Sequence, residues 1–501
     1  MGSSRWACLS TSVVVVAVGL LVACAAAPAK LPRPNVVVFL VDDLGWQDLS
    51  EPFGPERTEW NRRYRTPNVE RLCRQGNKFT QAYAHTVCTP TRVSLLTGMA
   101  AARHRVTHWT LQKDTETDRR IPGFSTPQWH VNGLSNDPAT PRAVCAETLP
   151  QRLREVGYRT ILVGKAHLGA IGTPGADPRN LGFDVNVAGH AAGAPSSYLA
   201  SKGFLREPAD TTWQVPGLEA WHGKDEFLTE VLTTEAIAAA EAARAADQPF
   251  FLYLSHYAVH TPLDADERYA KAYRAAGLPE PEARYAALVE GMDASLGRVL
   301  DWLDANGLAD DTIVLFLSDN GSLSAGARGG EKHTHNTPLR SGKGSCYEGG
   351  VRVPFAARWP GWFPANAVST LPVQVEDLFP TICELVGARP DCPDGDSFVR
   401  ALRGEAQSPH PLFWHHPHLW GADGPGIAPY SAVRDGDWKL IWFWGGYKEL
   451  FHLGRDLGET VDRSAQEPEV TARLLGLLHR HLADCDAQLP FRTGDAPFLP
   501  R

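Results

Sequence analysis

A few short stretches set titratable residues where strands or helices would begin or end. Asp42 and Asp43 stand side by side at the close of "NVVVFLVDDLG", and Asp319 and Asn320 at the close of "DTIVLFLSDNGS". Adjacent acids at a buried strand end repel one another unless a cation is shared. A set of carboxylates and an amide carbonyl suits a hard divalent ion, calcium or magnesium rather than zinc. Taken singly, any of these acids also reads as a helix cap or turn residue. "RTILVGKAHLG" brings Lys165 and His167, and "PFFLYLSHYAVHTP" brings His256 and His260. Lys343 lies between Gly342 and Gly344, where an amine and bare backbone can approach an anion closely. "HTVCTPTRVSLLTG" puts Cys88 at the mouth of a helix with Arg92 one turn on. The helix N-terminus and the nearby Arg both favour a thiolate, so an unusually reactive thiol is expected there.

The elements that must position these residues are legible in the same stretches. Four apolar runs, rich in β-branched and aromatic residues, are continuous rather than alternating. That pattern marks strands buried on both faces, as in a parallel sheet covered by helices, whose ligand crevice lies beyond the carboxyl ends of the strands. "EFLTEVLTTEAIAAAEAARAA" and "EARYAALVEGMDASLGRVLDWLDANG" read as helices between them. The C-terminal quarter reads differently. "PYSAVRDGDWKLIWFW" gives strand, Asp435-Gly436 turn and strand, Gly445-Gly446 gives the next turn, and "EPEVTARLLGLLHRHLADC" gives an amphipathic helix to cover the meander. The expectation is an α/β fold: a large mixed, mostly parallel sheet sandwiched by helices over residues 35–405. A smaller C-terminal antiparallel-sheet-plus-helix subdomain would follow over 406–501.

With 501 residues, 43% of them hydrophobic and 21% charged, the chain has ample core for that plan. A formal net charge of −8 argues against broad capture of nucleic acid or other polyanions. Residues 1–23 combine Arg5, an apolar run and small residues, which reads as a secretory signal too short to span a membrane. The run ends Leu21-Val22-Ala23-Cys24, which resembles a bacterial lipobox. It implies lipidation of Cys24, a tether over 24–34, and a lipid-anchored protein of the periplasm or cell surface; an ordinary signal cut near Ala27 is the alternative. Of nine cysteines, six remain after Cys8, Cys24 and Cys88 are set aside, and their spacing fits neither a disulfide scaffold nor a zinc site. Cys383 and Cys392 are close enough in sequence to bridge.

Cys88-Thr89-Pro90-Thr91-Arg92 followed by Thr97-Gly98 resembles the C-x-P-x-R-x-x-x-x-T-G signature of type I, formylglycine-dependent sulfatases, of the alkaline phosphatase superfamily. "NVVVFLVDDLGWQD", "GKAHLG", "HTP", "SDNG", "LRSGKGSCYEGGVRVPFAARWPG" and "AVRDGDWKLI" look like further sulfatase blocks in the family's order. The resemblance implies that a formylglycine-generating enzyme or anaerobic maturase converts Cys88 to an aldehyde. Its hydrate attacks sulfur, and a second hydroxyl expels sulfate, so the thiol would be raw material. It further implies Asp42, Asp43, Cys88, Asp319 and Asn320 around calcium, with magnesium possible. Arg92 would steady the nucleophile, Lys165 and Lys343 would hold sulfate oxygens, His167 would act as base, and His260 would protonate the leaving sugar oxygen. Asn186 and His190 are candidates for one further sulfate-facing residue.

Residues 103–142 form a long polar insertion next to the nucleophile, expected to be a substrate rim. Arg103, His104 and Arg105 would offer donors and Trp109 a face for a sugar ring, unless Trp109 and Trp129 pack the loop onto the core. His415 or His416 would join the pocket or form a domain-junction cluster. "GMAAARHRVTHWT" and "GFDVNVAGHAAGAPSSY" resemble bacterial polysaccharide sulfatases. They imply a sulfated glycan substrate of galactose or N-acetylgalactosamine type, exo action and a lean to the 4-O-sulfate. The rival functions are a phosphodiesterase or phosphonate hydrolase of the same superfamily, and an idle glycan-binding surface lipoprotein.

Overall fold

A computed structural model describes residues 1–2, 33–120, 124–125, 127–206 and 211–492. The expected signal segment and the lipidation site at Cys24 fall in 3–32, outside the described residues. The main sheet has nine strands. In chain order they are β1 (Asn35–Val41), β2 (Asn77–Tyr83), β3 (Arg159–Gly164), β4 (Val185–Val187), β5 (Phe250–Ser255), β6 (Thr312–Ser318), β7 (Arg352–Arg358), β8 (Ala367–Ser369) and β9 (Val373–Gln374). The order across the sheet is β8-β2-β7-β6-β1-β5-β3-β4, with β9 also pairing to β2. β7 runs antiparallel to both its neighbours and the other pairings are parallel.

The four apolar runs are therefore four neighbours, β6, β1, β5 and β3, whose carboxyl ends open on one side. Their continuity has a plain cause at β1, where alternate side chains enter different cores. Val37, Phe39 and Val41 pack into the core on one face, while Val36, Val38 and Leu40 pack into the core on the other. Each such side chain contributes roughly 1.5–3 kcal/mol relative to exposure, so both faces exert a strong pull on the same strand.

The helices are α1 (Pro67–Gln75), α2 (Cys88–Thr97), α3 (Leu149–Glu155), α4 (Leu228–Ala245), α5 (Glu280–Ala305) and α6 (Leu378–Val386). α4 and α5 cover one face and α2, α3 and α6 the other. α2 is unusual in that all ten of its residues are buried, polar ones included. Val87 enters it in extended conformation and Gly98, at φ +64°, ends it in the left-handed conformation that glycine adopts without strain. Its buried hydroxyls are satisfied locally: Ser94 Oγ lies 3.0 Å from Nε2 of both His85 and His104.

The C-terminal meander consists of β10 (Leu412–His416), β11 (Tyr430–Asp435), β12 (Trp438–Phe443) and β13 (Lys448–His452), all antiparallel neighbours, backed by α7 (Pro468–Asp484). Gly436, at φ +61°, makes the tight β11–β12 turn where the sequence predicts it. The meander is fastened to the main sheet at the end of β2, where Trp414 Nε1 donates to the Ala84 carbonyl at 2.9 Å. Among the described residues no helix is long and apolar enough to cross a membrane. Cys383 and Cys392 are both free thiols, so the bridge considered from their spacing is not formed.

Candidate active site

The carboxyl ends of β1, β3 and β6 and the N-terminus of α2 converge on one buried charge cluster. Asp42 and Asp43 follow β1, Asp319 and Asn320 follow β6, and Lys165 follows β3; all five are fully buried. Lys165 Nζ lies 2.5 Å from Asp42 Oδ2 and 3.9 Å from Asp319 Oδ2, and Lys343 Nζ lies 2.7 Å from Asp43 Oδ1. Arg92, one turn into α2, places Nε and Nη2 on Asp319 Oδ2 at 2.9 and 2.7 Å. Its remaining amine donates to the Lys165 carbonyl and Ser255 Oγ, which ties the ends of β3, β5 and β6 together. Arg92's hydrogen bonds are thus spent on the strand ends, while its charge still acts on the residue at 88.

The adjacent acids are pushed in opposite directions. Burial and Asp319 raise the Asp42 carboxyl well above its ordinary range, against the pull of Lys165. Burial also acts to raise Asp43, but Lys343, His260 and the Asn320 amide together hold it well below.

Three buried oxygens here, Asp42 Oδ1, Asp43 Oδ2 and Asn320 Oδ1, have no hydrogen-bond partner among the described residues. Leaving a buried oxygen without a donor costs on the order of 1–3 kcal/mol, more for a charged one, so three together mark a place where a cation fits. The acid and histidine atoms that lie within 4.8 Å of one another belong to Asp42, Asp43 and His260. Asp319 and Cys88 stand outside that set. Both Asp319 oxygens are already engaged, one accepting the Arg92 fork and the other the Asp43 backbone N–H.

His167 is buried at φ +52°, an uncommon conformation for a side-chain-bearing residue. Its Nε2 lies 2.8 Å from the Thr110 carbonyl, which only accepts, so the proton sits on Nε2. Nδ1 then presents a lone pair and has no partner among the described residues. Burial, with Lys165 and Arg92, holds the ring well below its ordinary pKa, hence neutral. A Cβ on Gly193 would sit 2.3 Å from His167 Cε1, so glycine is what lets that segment close over the ring. His260 donates from Nδ1 to the Thr261 carbonyl at 2.8 Å, and Nε2 faces Asp43 Oδ2 at 3.7 Å. Burial and Lys343 bring it down to about 4.

Above the cluster lies a cavity of about 420 Å³ lined by Cys88, His167, His260, Lys343, Thr117 and three tryptophans, Trp109, Trp213 and Trp420. A larger groove of about 890 Å³ runs along edge strand β8, away from these residues. Chemistry, not size, selects the smaller one. Cys88 is 4% exposed, and burial raises its pKa despite Lys165 and Lys343, so the reactive thiolate expected from the helix terminus is corrected: desolvation outweighs the helix end.

Several expected rim residues point elsewhere. Arg103 forks onto Asp394 and donates to the Asp484 carbonyl, and Arg105 pairs with Asp486. His104 is fully buried between Ser94 and the Val106 N–H. All three expectations are corrected: Arg103 and Arg105 fasten the insertion to the C-terminal part, His104 is held within the insertion and against α2, and none of the three lines the cavity. Trp109 does line it, whereas Trp129 is fully buried against His108 and His418. His415 and His416 face Ser431, Gln488 and His108 in the junction. His256 turns into the core onto Ser295, and Asn186 closes a turn with Gly189. His190 contributes its carbonyl to the His167 N–H and does not line the cavity. Trp213 and Trp420 were not anticipated; their signal was a large aromatic in a Pro/Gly-marked loop.

The sulfatase family model matches residues 34–388. A sulfatase of Formosa agariphila is 31% identical over 490 residues, covering 87% of this chain and 85% of that one. The N-acetylgalactosamine-6-sulfatase of Canis lupus familiaris is 30% identical over 496 residues, covering 95% and 84%. The fold is similar to that of Ps i-CgsB in complex with k-i-k-neocarrahexaose, with a TM-score of 0.71 at 23% identity over 93% of this chain and 95% of that one. With those matches and with paired acids, lysines and histidines gathered around the residue at 88, the chain belongs to the sulfatase family and is a sulfatase.

Proposed function

We propose that the protein removes sulfate from a galactose- or N-acetylgalactosamine-type sugar ester, acting on a terminal residue, with formylglycine made from Cys88 and calcium held by Asp42, Asp43 and Asn320. The observation that carries this reading is the convergence of Cys88, Lys343, His167 and His260 on one aromatic-walled cavity directly over three unpartnered oxygens.

Calcium, when bound, supplies positive charge against the negative charge that grows on the reacting oxygens. Formylglycine supplies a hydrated aldehyde at position 88 as nucleophile. The chain's own residues do the rest. Lys343 stands at the cavity floor where the sulfate oxygens would lie, and Lys165 holds Asp42 from below. His167, neutral with its lone pair at Nδ1, takes the proton from the hydroxyl at 88. His260 gives a proton to the leaving oxygen from Nε2. That ring is neutral beside Lys343, and the negative charge of a bound sulfate ester favours the protonated form.

The resemblance to bacterial polysaccharide sulfatases leans to the 4-O ester. Relatives of this chain include the N-acetylgalactosamine-6-sulfatases of Canis lupus familiaris, Mus musculus and Homo sapiens, and they favour the 6-O ester. Export and a lipid anchor at Cys24 belong to the same proposal: a surface enzyme that trims sulfated glycans.

The test is sulfate release from a panel of position-defined galactose and N-acetylgalactosamine sulfates. It uses protein co-expressed with a maturation enzyme, in calcium, with Cys88→Ala as baseline. Release from the 6-O ester and loss of at least 10³-fold in Cys88→Ala are expected. Release from the 4-O ester alone would restore the lean of the sequence. A faster phosphate diester, or near-normal turnover in Cys88→Ala, would overturn the reading.

A further inference from the structure

The three tryptophans of the cavity come from three distant segments: Trp109 from the insertion after α2, Trp213 from the stretch between β4 and α4, and Trp420 from the β10–β11 loop. Trp420 lies outside regular secondary structure. Its loop carries Gly421, Gly424, Pro425 and Gly426, and Gly421 and Asp423 are exposed. What fixes it comes from the insertion. Arg119 Nε donates to the Trp420 carbonyl at 2.8 Å, and Nη2 donates to the Ala422 carbonyl at 3.1 Å and to Asp423 Oδ1 at 2.7 Å. The Arg119 backbone N–H donates to the Leu419 carbonyl at 3.1 Å. One residue earlier on each side, buried His418 joins Asp118 at 2.8 Å and Thr107 at 2.7 Å. The exposed pair with Asp423 contributes little. The charged donors on two carbonyls contribute more, and they act on Trp420 itself and on Ala422, two residues further on.

The landing place of that ring is equally specific. Gly344, at φ +84°, would place a Cβ 2.2 Å from Trp420 Cε3, so the indole lies on bare backbone next to Lys343. Trp420 and Lys343 thereby line the same cavity.

We propose that Arg119 is a positioning residue for substrate: it holds Trp420 over the site, and the three tryptophans then take the sugar by its apolar C–H faces. This rests on the sulfated-sugar reading above. Among the described residues, apart from the catalytic side chains and Thr117 and Thr261, the cavity is lined by aromatic, aliphatic and glycine residues. Such walls grip by area and shape. A site that hydrogen-bonds a hydroxyl rejects analogues lacking it strongly, whereas an apolar wall discriminates weakly. The enzyme should accordingly separate esters by sulfate position and tolerate hydroxyl or N-acetyl at C2.

The experiment compares the unaltered enzyme, Arg119→Ala, Arg119→Lys and Trp420→Ala on galactose 6-sulfate and N-acetylgalactosamine 6-sulfate. It also measures binding of galactose 6-sulfate to each in a Cys88→Ala background by tryptophan fluorescence. Arg119→Ala should raise KM at least ten-fold while kcat falls less than three-fold, and should weaken binding by a similar factor. Arg119→Lys, a point donor in place of a fork, should recover part of the loss. Trp420→Ala, which removes the wall and leaves the clasp intact, should show the same KM effect, so misfolding of one variant does not decide the matter. The unaltered enzyme should use the two sugars within about ten-fold of each other. KM within two-fold of normal in Arg119→Ala or Trp420→Ala, with the unaltered enzyme active, overturns the inference. An unaltered enzyme silent on every sugar ester overturns the underlying reading instead.

Discussion

Two ionic clusters lie buried within a few residues of each other, and they are built to opposite rules. The first holds Asp42, Asp43 and Asp319 against Lys165, Lys343 and Arg92, and leaves three oxygens without a donor. The second holds Asp48 and Glu282 against Arg328. There every carboxylate oxygen is met: Asp48 by the Gly45 N–H, Ser322, Tyr64, Tyr285 and Arg328, and Glu282 by Tyr64 and Arg328. Arg328 also lies 3.8 Å from the Tyr285 ring centre. Burial acts to raise Asp48, but Arg328, Ser322 and Tyr285 hold it below its ordinary value. A satisfied cluster braces the loops; an unsatisfied one awaits something to bind. Formal charge would choose the wrong one, because the first cluster has as many cations as acids and the second has one cation for two acids; hydrogen-bond completeness separates them.

Three substitutions can break or sharpen that contrast. The largest effect is expected for Asp43→Asn, with sulfate release down at least 10³-fold. The same variant should lose the calcium-dependent rise in Tm expected of the unaltered protein, a rise equivalent to about 2.7 kcal/mol at a hundred-fold excess over Kd. Asp48→Asn should keep that rise. Thermal melts across a calcium titration read both, and a calcium response surviving in Asp43→Asn would erase the distinction. Next comes Arg328→Met, which leaves two buried carboxylates without their cation and should cost about 3–5 kcal/mol in urea unfolding while calcium still stabilises what folds.

The smallest effect belongs to a pair at the edge of water. His410 Nε2 lies 3.1 Å from Asp377 Oδ2. Burial opposes its charge, but the bond to Asp377 and the charges of Asp377 and Asp396 lift it to about 9. The folded value exceeds the unfolded one, so the contribution is whole below pH about 6.5 and fades as pH rises through 9. His410→Gln should cost about 1–2 kcal/mol at pH 6 and nothing measurable at pH 10. A cost independent of pH would assign the pair a packing role.

Much of the charge cluster was legible because the chemistry sits at the ends of unmistakable strands. The runs at β1, β3, β5 and β6 are apolar on both faces, and polar residues that break such runs fall at one edge of the sheet. The walls were less legible because they depend on which loops meet. Arg103 and Arg105 read as free donors, yet their partners lie 291 and 381 positions away, and no local pattern announces them. Trp420 was hidden by its neighbours, since the histidines of "LFWHHPHLWG" drew the eye while the adjacent Trp lined the cavity. Cys88 was misjudged because a helix terminus can be read from sequence, while the depth of its burial is a property of the whole assembly.

That depth has a consequence in time. α2 is enclosed from end to end, and Cys88 lies at its first residue beneath a wall of tryptophans. If Cys88 is converted as proposed above, another enzyme would have to reach it before these segments close. Each molecule would then commit once. A chain that folded first would keep its thiol out of a maturation enzyme's reach, and the active fraction of a preparation would be a frozen record of which event came first.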